Sequence, residues 1–429
     1  MFHYPPVVPA PSITTVPGVI YSAHGRSDGS FAVATGGKAA TVTGLDPATG
    51  ASMSPVTLLP ADPVRLYADP RVDPAGGEVV FSLEGRPLER AAIVRDFDQA
   101  GHQVGATTTL ALGPDEFPRA FGVGPTGAVA IVTDGSLGGA VRPRLSFRPS
   151  GQTAFTAPTE LGPTVSRREA LFDAIVTRYD VLLGPDGGGV LLVQPGFGYG
   201  SGNPHAKPYL RRILPSGQIG PHLSIPGLDR RDLFDATAEM NPDGTAVVVV
   251  TATRERPHSV PLELTSTLRY ATLAPTAASV TAPRRLPIPH SRDGASVVDV
   301  SGLGPHTVVL TAKDEHSPIT VSEGLGSALP TPVGTIPAAF RTGVHMVQGA
   351  DGGVTVTGAL HGQGYGAIIE SHQPPGGAFS APRTIVTDPN PKVDYEPGVP
   401  RLLADGEVVL PYTYVGAGGE TSAIARFTP

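Results

Sequence analysis

The sequence predicts an all-β fold, a β-propeller of eight four-stranded blades closed by its N-terminal strand. Three observations carry this expectation. The 429 residues include 54 Gly and 47 Pro, nearly a quarter of the chain, spread between short apolar runs. Breakers at that density mark turns and exclude long helices. A Gly-containing turn followed at once by a β-rich run recurs eight times, and six of the eight units end in a segment with proline at a matching position. A chain longer than roughly 250–300 residues outgrows a single hydrophobic core, so a repeat array suits this length. One propeller domain spanning 1–429 is expected.

In chain order the turn and run read SDG/SFAVA, DPAG/GEVVF, GPTG/AVAIV, GPDG/GGVLLV, NPDG/TAVVVV, GLG/PHTVVL, ADG/GVTV and ADG/EVVL. The landmark glycines are Gly29, Gly76, Gly127, Gly187, Gly244, Gly304, Gly352 and Gly406, spaced 47 to 60 residues apart. A propeller blade needs about 40–50 residues plus loops, which fits. The first strand, A, precedes the turn, as in Arg65–Val72. Strand B follows it and is nearly all apolar, the composition of a strand covered on both faces. Strand C alternates, as in Leu268–Leu273, and leads through a Gly/Pro turn to strand D. Unit 6 has the weakest landmark; without it seven blades remain as the alternative.

Strand D reads SPVTL, APTEL, GPHLSI, APRRL, TPVGTI and APRTI in units 1, 3, 4, 5, 6 and 7. Proline cannot donate to a sheet ladder, so it belongs on an edge, where it also blocks association between edges. Unit 8 stops after its strand C. Residues 10–16, APSITTV, match the strand D pattern and have no unit before them. They are expected to complete the last blade, about 392–429, and close the ring.

Net charge is −7, and no Lys/Arg block exists to follow a phosphate backbone, so nucleic acid is not an expected partner. The absence of Cys excludes disulfides, thiolate metal ligands and Cys nucleophiles. No apolar stretch reaches the roughly 18 residues of a spanning helix, so membrane insertion is not expected. The first residues lack the basic and apolar regions of a signal peptide, and none is expected. Only four of the 31 basic residues are Lys, a bias of high-GC bacterial proteins.

With its strand, DPDG-type turn, apolar strand, alternating strand, Pro-x-Gly turn and edge strand, the unit resembles the β-propeller repeat proteins of high-GC bacteria. The likeness covers nearly the whole chain and is one of architecture. Such propellers host enzymes, lectins and scaffolds alike. It implies a mature protein acting outside the cytoplasm. The WD dipeptide cannot occur without Trp, the kelch signature is absent, and Ser291-Arg292-Asp293-Gly294 approaches a sialidase Asp box with the wrong spacing.

In a propeller the D–A and B–C loops share the face where ligands bind. Four consecutive B–C loops each carry a histidine: His205, His258, His316 and His361. His345 lies in strand A of unit 7, seven residues before the landmark glycine, and Asp69 and Asp180 hold the same offset in units 2 and 4. Imidazoles with carboxylates could ligate a divalent metal or supply an acid/base pair. The competing reading is a set of solvated loop histidines. A D–A motif recurs as Arg167-Arg168-Glu169-Ala170-Leu171-Phe172-Asp173 and Arg230-Arg231-Asp232-Leu233-Phe234-Asp235, and Arg65, Arg119, Arg292 and Arg341 also stand near strand A. Clustered guanidinium groups suit a carboxylate, sulfate or phosphate; local pairing and packing between blades is the competing reading. Gly-rich segments present Tyr199 (196–203) and Tyr365 (362–366), which suit sugar stacking or a lid. No catalytic triad can be assigned.

Two functions follow. The first is a binding module that recognises a small molecule, glycan or protein through the D–A and B–C face, with closed ring and proline-bearing edges suited to a monomer. The alternative is a hydrolase or lyase acting on an anionic substrate. There Arg168 and Arg231 clamp the anion, with Tyr199, Tyr365, His345 and Arg341 lining the site. One of His205, His258, His316 or His361 acts as acid/base, with Asp173 or Asp235 orienting it and a divalent metal assisting.

Overall fold

The computed structural model describes residues 12–16, 19–25, 31–45, 53–63, 65–72, 77–86, 89–113, 116–135, 143–161, 176–197, 207–229, 232–241, 243–255, 264–286, 296–301, 306–312, 318–325, 330–336, 342–349, 351–362, 365–387, 394–403, 406–416 and 419–429. Among them every regular element is a strand and there are no helices. The strands form eight antiparallel sheets, arranged as an eight-bladed β-propeller. Seven sheets are built from four consecutive strands. The eighth takes its outer strand, Ser12–Val16, from the other end of the chain, with Ser12 opposite Arg426 and Val16 opposite Ser422.

The innermost strands are Val19–Gly25, Arg65–Val72, Glu116–Val123, Val176–Leu183, Leu233–Met240, Ser296–Ser301 and Thr342–Gln348 in blades 1 to 7. In blade 8 this position is split into Asp394–Pro397 and Arg401–Leu402. The turn after strand A repeats in detail. In blade 4 the Gly187 N–H donates to the Gly184 carbonyl and the Gly184 N–H to the Gly188 carbonyl. The landmark glycines Gly127, Gly187, Gly244, Gly352 and Gly406 have φ between +78° and +90°, where a Cβ costs about 1–2 kcal/mol. That conformation is why glycine recurs there. The acidic turn residues Asp186, Asp243 and Asp351 each accept a backbone N–H two residues on. They are spent on the turn.

The apolar side chains gather between blades rather than at the centre. Val33, Val409 and Ile424 join blades 1 and 8; Val248, Ala236 and Leu192 join blades 4 and 5; Phe147, Ile213 and Leu191 join blades 3 and 4. Equivalent clusters fill the remaining five junctions. This is why strand B is apolar on both faces. Inner strands approach so closely that a Cβ on Gly122 of blade 3 would lie 2.7 Å from Val181 of blade 4. Expected strand D prolines stand just before the edge strands or inside them: Pro55 precedes Val56–Leu59, and Pro332 lies within Thr331–Ile336.

Candidate functional site

The central channel is where the inner strands place charge. Asp69, Asp180 and His345 pair across their sheets with Phe81, Leu192 and Thr357. Each is the fourth pair from its A–B turn, so the shared sequence offset is a shared height along the channel. Ala120 and Thr237 hold the same register in blades 3 and 5. Side chains alternate along a strand, so positions two residues away face the same way. That rule brings Arg71, Arg178 and Asp235 onto the channel side.

Asp69, Arg71, Arg178 and Asp180 meet in a cavity of about 470 Å³ lined by blades 2 to 5. Its charged walls are Asp69 and Arg71 from blade 2, Arg119 from blade 3, and Arg178 and Asp180 from blade 4. Thr237 closes it on blade 5. The Phe81 and Phe121 rings, stacked at 4.9 Å, form an apolar patch between blades 2 and 3. Arg119 is aimed by a bulge: the ladder jumps from Pro118 to Ala120, leaving Arg119 without a cross-strand partner position. Bulges re-aim side chains in this way.

The charges are held in pairs. Arg71 grips Asp69 through two 2.8 Å contacts, Nη2 to Oδ2 and Nε to Oδ1. Arg178 bridges two blades, lying 3.2 Å from Asp180 of its own strand and 3.7 Å from Asp235 of blade 5. Asp235 is positioned by buried Gln194 of blade 4, which donates to the Phe234 carbonyl and accepts the Ala236 N–H. Arg71 and Arg178 keep 40% and 38% of their side chains open, enough to meet a ligand. Burial raises the Asp69 carboxyl above its ordinary range, against the hydrogen bond and charge of Arg71. The Asp235 side chain is 58% exposed. Its carboxyl is nevertheless raised, first by the surrounding protein and against the Arg178 charge. Burial, then the Arg401 charge, lowers His345.

Of the residues expected from the sequence, Asp235 and His345 lie among those described, on inner strands. His361 lies one residue before the end of strand B of blade 7 and Tyr365 opens strand C, with His361 opposite Gly366 and Tyr365 opposite Gly362. His361, Gly362, Tyr365 and Gly366 therefore belong to the ladder, correcting the expected loop placement of these residues. Arg168, Asp173, Tyr199, His205, Arg231, His258, His316 and Arg341 lie outside the described residues. Among the described residues no group of three or more His, Asp or Glu is arranged to hold a metal ion.

The recurring D–A motif resolves toward local pairing where it is described. Asp232 is buried and accepts from Arg254 Nε at 2.7 Å, while Arg254 also reaches Asp229. Phe234 packs into the blade 4–5 core. Arg65 is buried and joins blades 1 and 2 through Glu84 and the Lys38 and Pro60 carbonyls. In the sequence neither Arg71 nor Arg178 stands out. Their signal was a charge two residues from Asp69 or Asp180 on the same face.

No protein-family model and no curated protein matches the chain. Solved structures do. The Dos1 propeller aligns over 98% of this chain and 94% of its own, with TM-score 0.50 and 10% identity. Polysaccharide lyase Uly1 aligns over 82% and 88%, with TM-score 0.46 and 12% identity. An ulvan lyase aligns over 94% and 91%, with TM-score 0.42 and 11% identity. At these identities the likeness concerns fold alone, and the Dos1 propeller supports the eight-bladed architecture.

Proposed function

We propose that the protein is a binding module that holds a small acidic ligand, or the acidic group of a glycan or protein, in the channel beside blades 2 to 5. The observation that supports this is the convergence of Arg71, Arg119 and Arg178, from three successive blades, on one cavity of about 470 Å³. Ligand pockets commonly measure about 300–1,000 Å³. Guanidinium groups pair with carboxylate, sulfate or phosphate through two parallel hydrogen bonds. The Asp partners hold Arg71 and Arg178 in place, which lowers the ordering cost of capture. In this reading the protein works outside the cytoplasm, as its resemblance implies. Calorimetric titration with glucuronate, sulfate and glucose tests it. One-site binding of an anion, absent for glucose and weakened about 10–100-fold in Arg178→Gln, is expected; failure of both anions to bind overturns it.

The raised carboxyls of Asp69 and Asp235 favour the hydrolase or lyase as the second reading, since a carboxyl that keeps its proton can act as a general acid. Incubation with a polyuronate, followed by reducing ends and by ultraviolet absorbance of unsaturated products, separates turnover from binding. Release of neither product removes the enzyme.

A further inference from the structure

The outer strands of seven blades carry proline within them or at the residue immediately before: Pro11, Pro55, Pro158, Pro221, Pro283, Pro332 and Pro382. Blade 2 does not. Its outer strand, Gln103–Ala111, is also the longest of the eight, nine residues against two to six elsewhere. It ends its sheet with no strand beyond it. Gln103–Thr107, Thr109 and Ala111 are exposed, and the strand contains no charged residue. Edge strands are kept from pairing by shortness, charge, proline or bulges. Three of these devices are missing here.

The fourth is present in the upstream half only. The ladder is regular from Ala111 to Thr108 and breaks between Val94 and Asp96, where Gly105 takes φ +72°. Thr107–Ala111 is left as a straight, unguarded template.

We propose that Thr107–Ala111 pairs antiparallel with the same segment of a second copy of this chain, joining two blades into one eight-stranded sheet about a two-fold axis at Thr109. The segment's lack of charge suits a second copy as the occupant. With Thr109 opposite itself, Thr107 faces Ala111 and Thr108 faces Leu110, so no like charges meet. Paired threonines are a favourable cross-strand contact. The same operation on the edges of blades 3, 5 or 7 brings together copies of strands bearing Glu160, Arg284 and Arg285, or Arg383. A two-fold contact uses one patch on both copies and closes at the dimer. The outer edge of blade 2 lies three strands from Asp69 and Arg71 on its inner strand, and the pairing does not depend on what the channel binds.

Sedimentation velocity on the full chain, from low micromolar to the highest soluble concentration, tests this. The unmodified chain is expected to shift from monomer toward twice the mass as concentration rises. Thr109→Lys, at an exposed position, places two ammonium groups on the axis and is expected to remain monomeric with an unchanged melting temperature. Thr109→Glu is likewise expected to remain monomeric. Mixing the two variants is expected to restore the dimer. A chain monomeric throughout overturns the proposal and leaves the edge to an extended peptide of another protein. A dimer that survives Thr109→Lys, or a mixture that stays monomeric, also overturns it.

Discussion

Blades 4 and 7 place their first strands at the same register around the same channel, and put opposite chemistry there. In blade 4 the fourth pair from the turn is Asp180, beside an arginine that spans to Asp235 of the next blade. In blade 7 it is His345, whose charge burial opposes. Blade 8 follows with tyrosines: Tyr395, Tyr412 and Tyr414 lie with ring centroids 5.9–6.2 Å apart. Burial and its two neighbours push the Tyr412 hydroxyl upward. The repeat thus fixes where an inner side chain stands and leaves its chemistry free. Beside blades 2 to 5 the channel side holds part-exposed ion pairs, and at the junction of blades 7 and 8 three tyrosines pack together.

The strongest separation of the two sides is expected from Tyr412→Ala. The side chain is 3% exposed in the blade 7–8 core, and truncating a buried aromatic costs about 3–5 kcal/mol. Chemical denaturation is expected to show that loss with anion binding unchanged in the folded protein; weakened binding would break the division. Arg178→Gln is the mirror experiment. Affinity for glucuronate or sulfate is expected to fall about 10–100-fold, the loss of about 1.5–3 kcal/mol from a charged hydrogen bond. Stability is expected to change by less than about 1 kcal/mol, because the pairs are part-exposed.

Glycine substitutions are expected not to tell the sides apart. Gly187→Ala and Gly352→Ala force the same left-handed backbone, φ +78° and +90°, and each is expected to cost about 1–2 kcal/mol in thermal denaturation. Unequal losses would show that the turns carry more than geometry. The smallest effect is on pH. Burial lifts Asp69 above 3.8, so it takes up a proton at higher pH than an exposed aspartate. Protonation loosens its hold on Arg71, and anion affinity is expected to rise as pH falls through the raised Asp69 value. Asp69→Asn is expected to remove that part of the pH dependence. The linked stability has the same sign: the folded state binds more protons, so Asp69's contribution is present below its unfolded value and lost as pH rises through the folded one.

The architecture was legible because its signals repeat. The glycine at φ +78° in blade 4 is the same requirement met again in blades 3, 5, 7 and 8, and an edge proline means one thing wherever it falls. Even the terminal strand Ser12–Val16 announced itself by carrying an edge pattern with no blade to belong to. The channel was half legible. The shared offset of Asp69, Asp180 and His345 marked a height, yet Arg71 and Arg178 looked like the polar half of an ordinary alternating strand. A residue facing a channel and one facing bulk water leave the same sequence trace. The bulge that aims Arg119 left none, since nothing in Pro118-Arg119-Ala120 announces a lost partner.

The seam where Ser12–Val16 meets the strand ending at Phe427 sets the two terminal strands side by side, one ladder apart. Sequence order is therefore almost arbitrary in this ring. Linking those strands and opening the chain at an exposed outer turn, such as Pro374–Gly377 in blade 7, would yield a circular permutant with the same eight blades and a new seam.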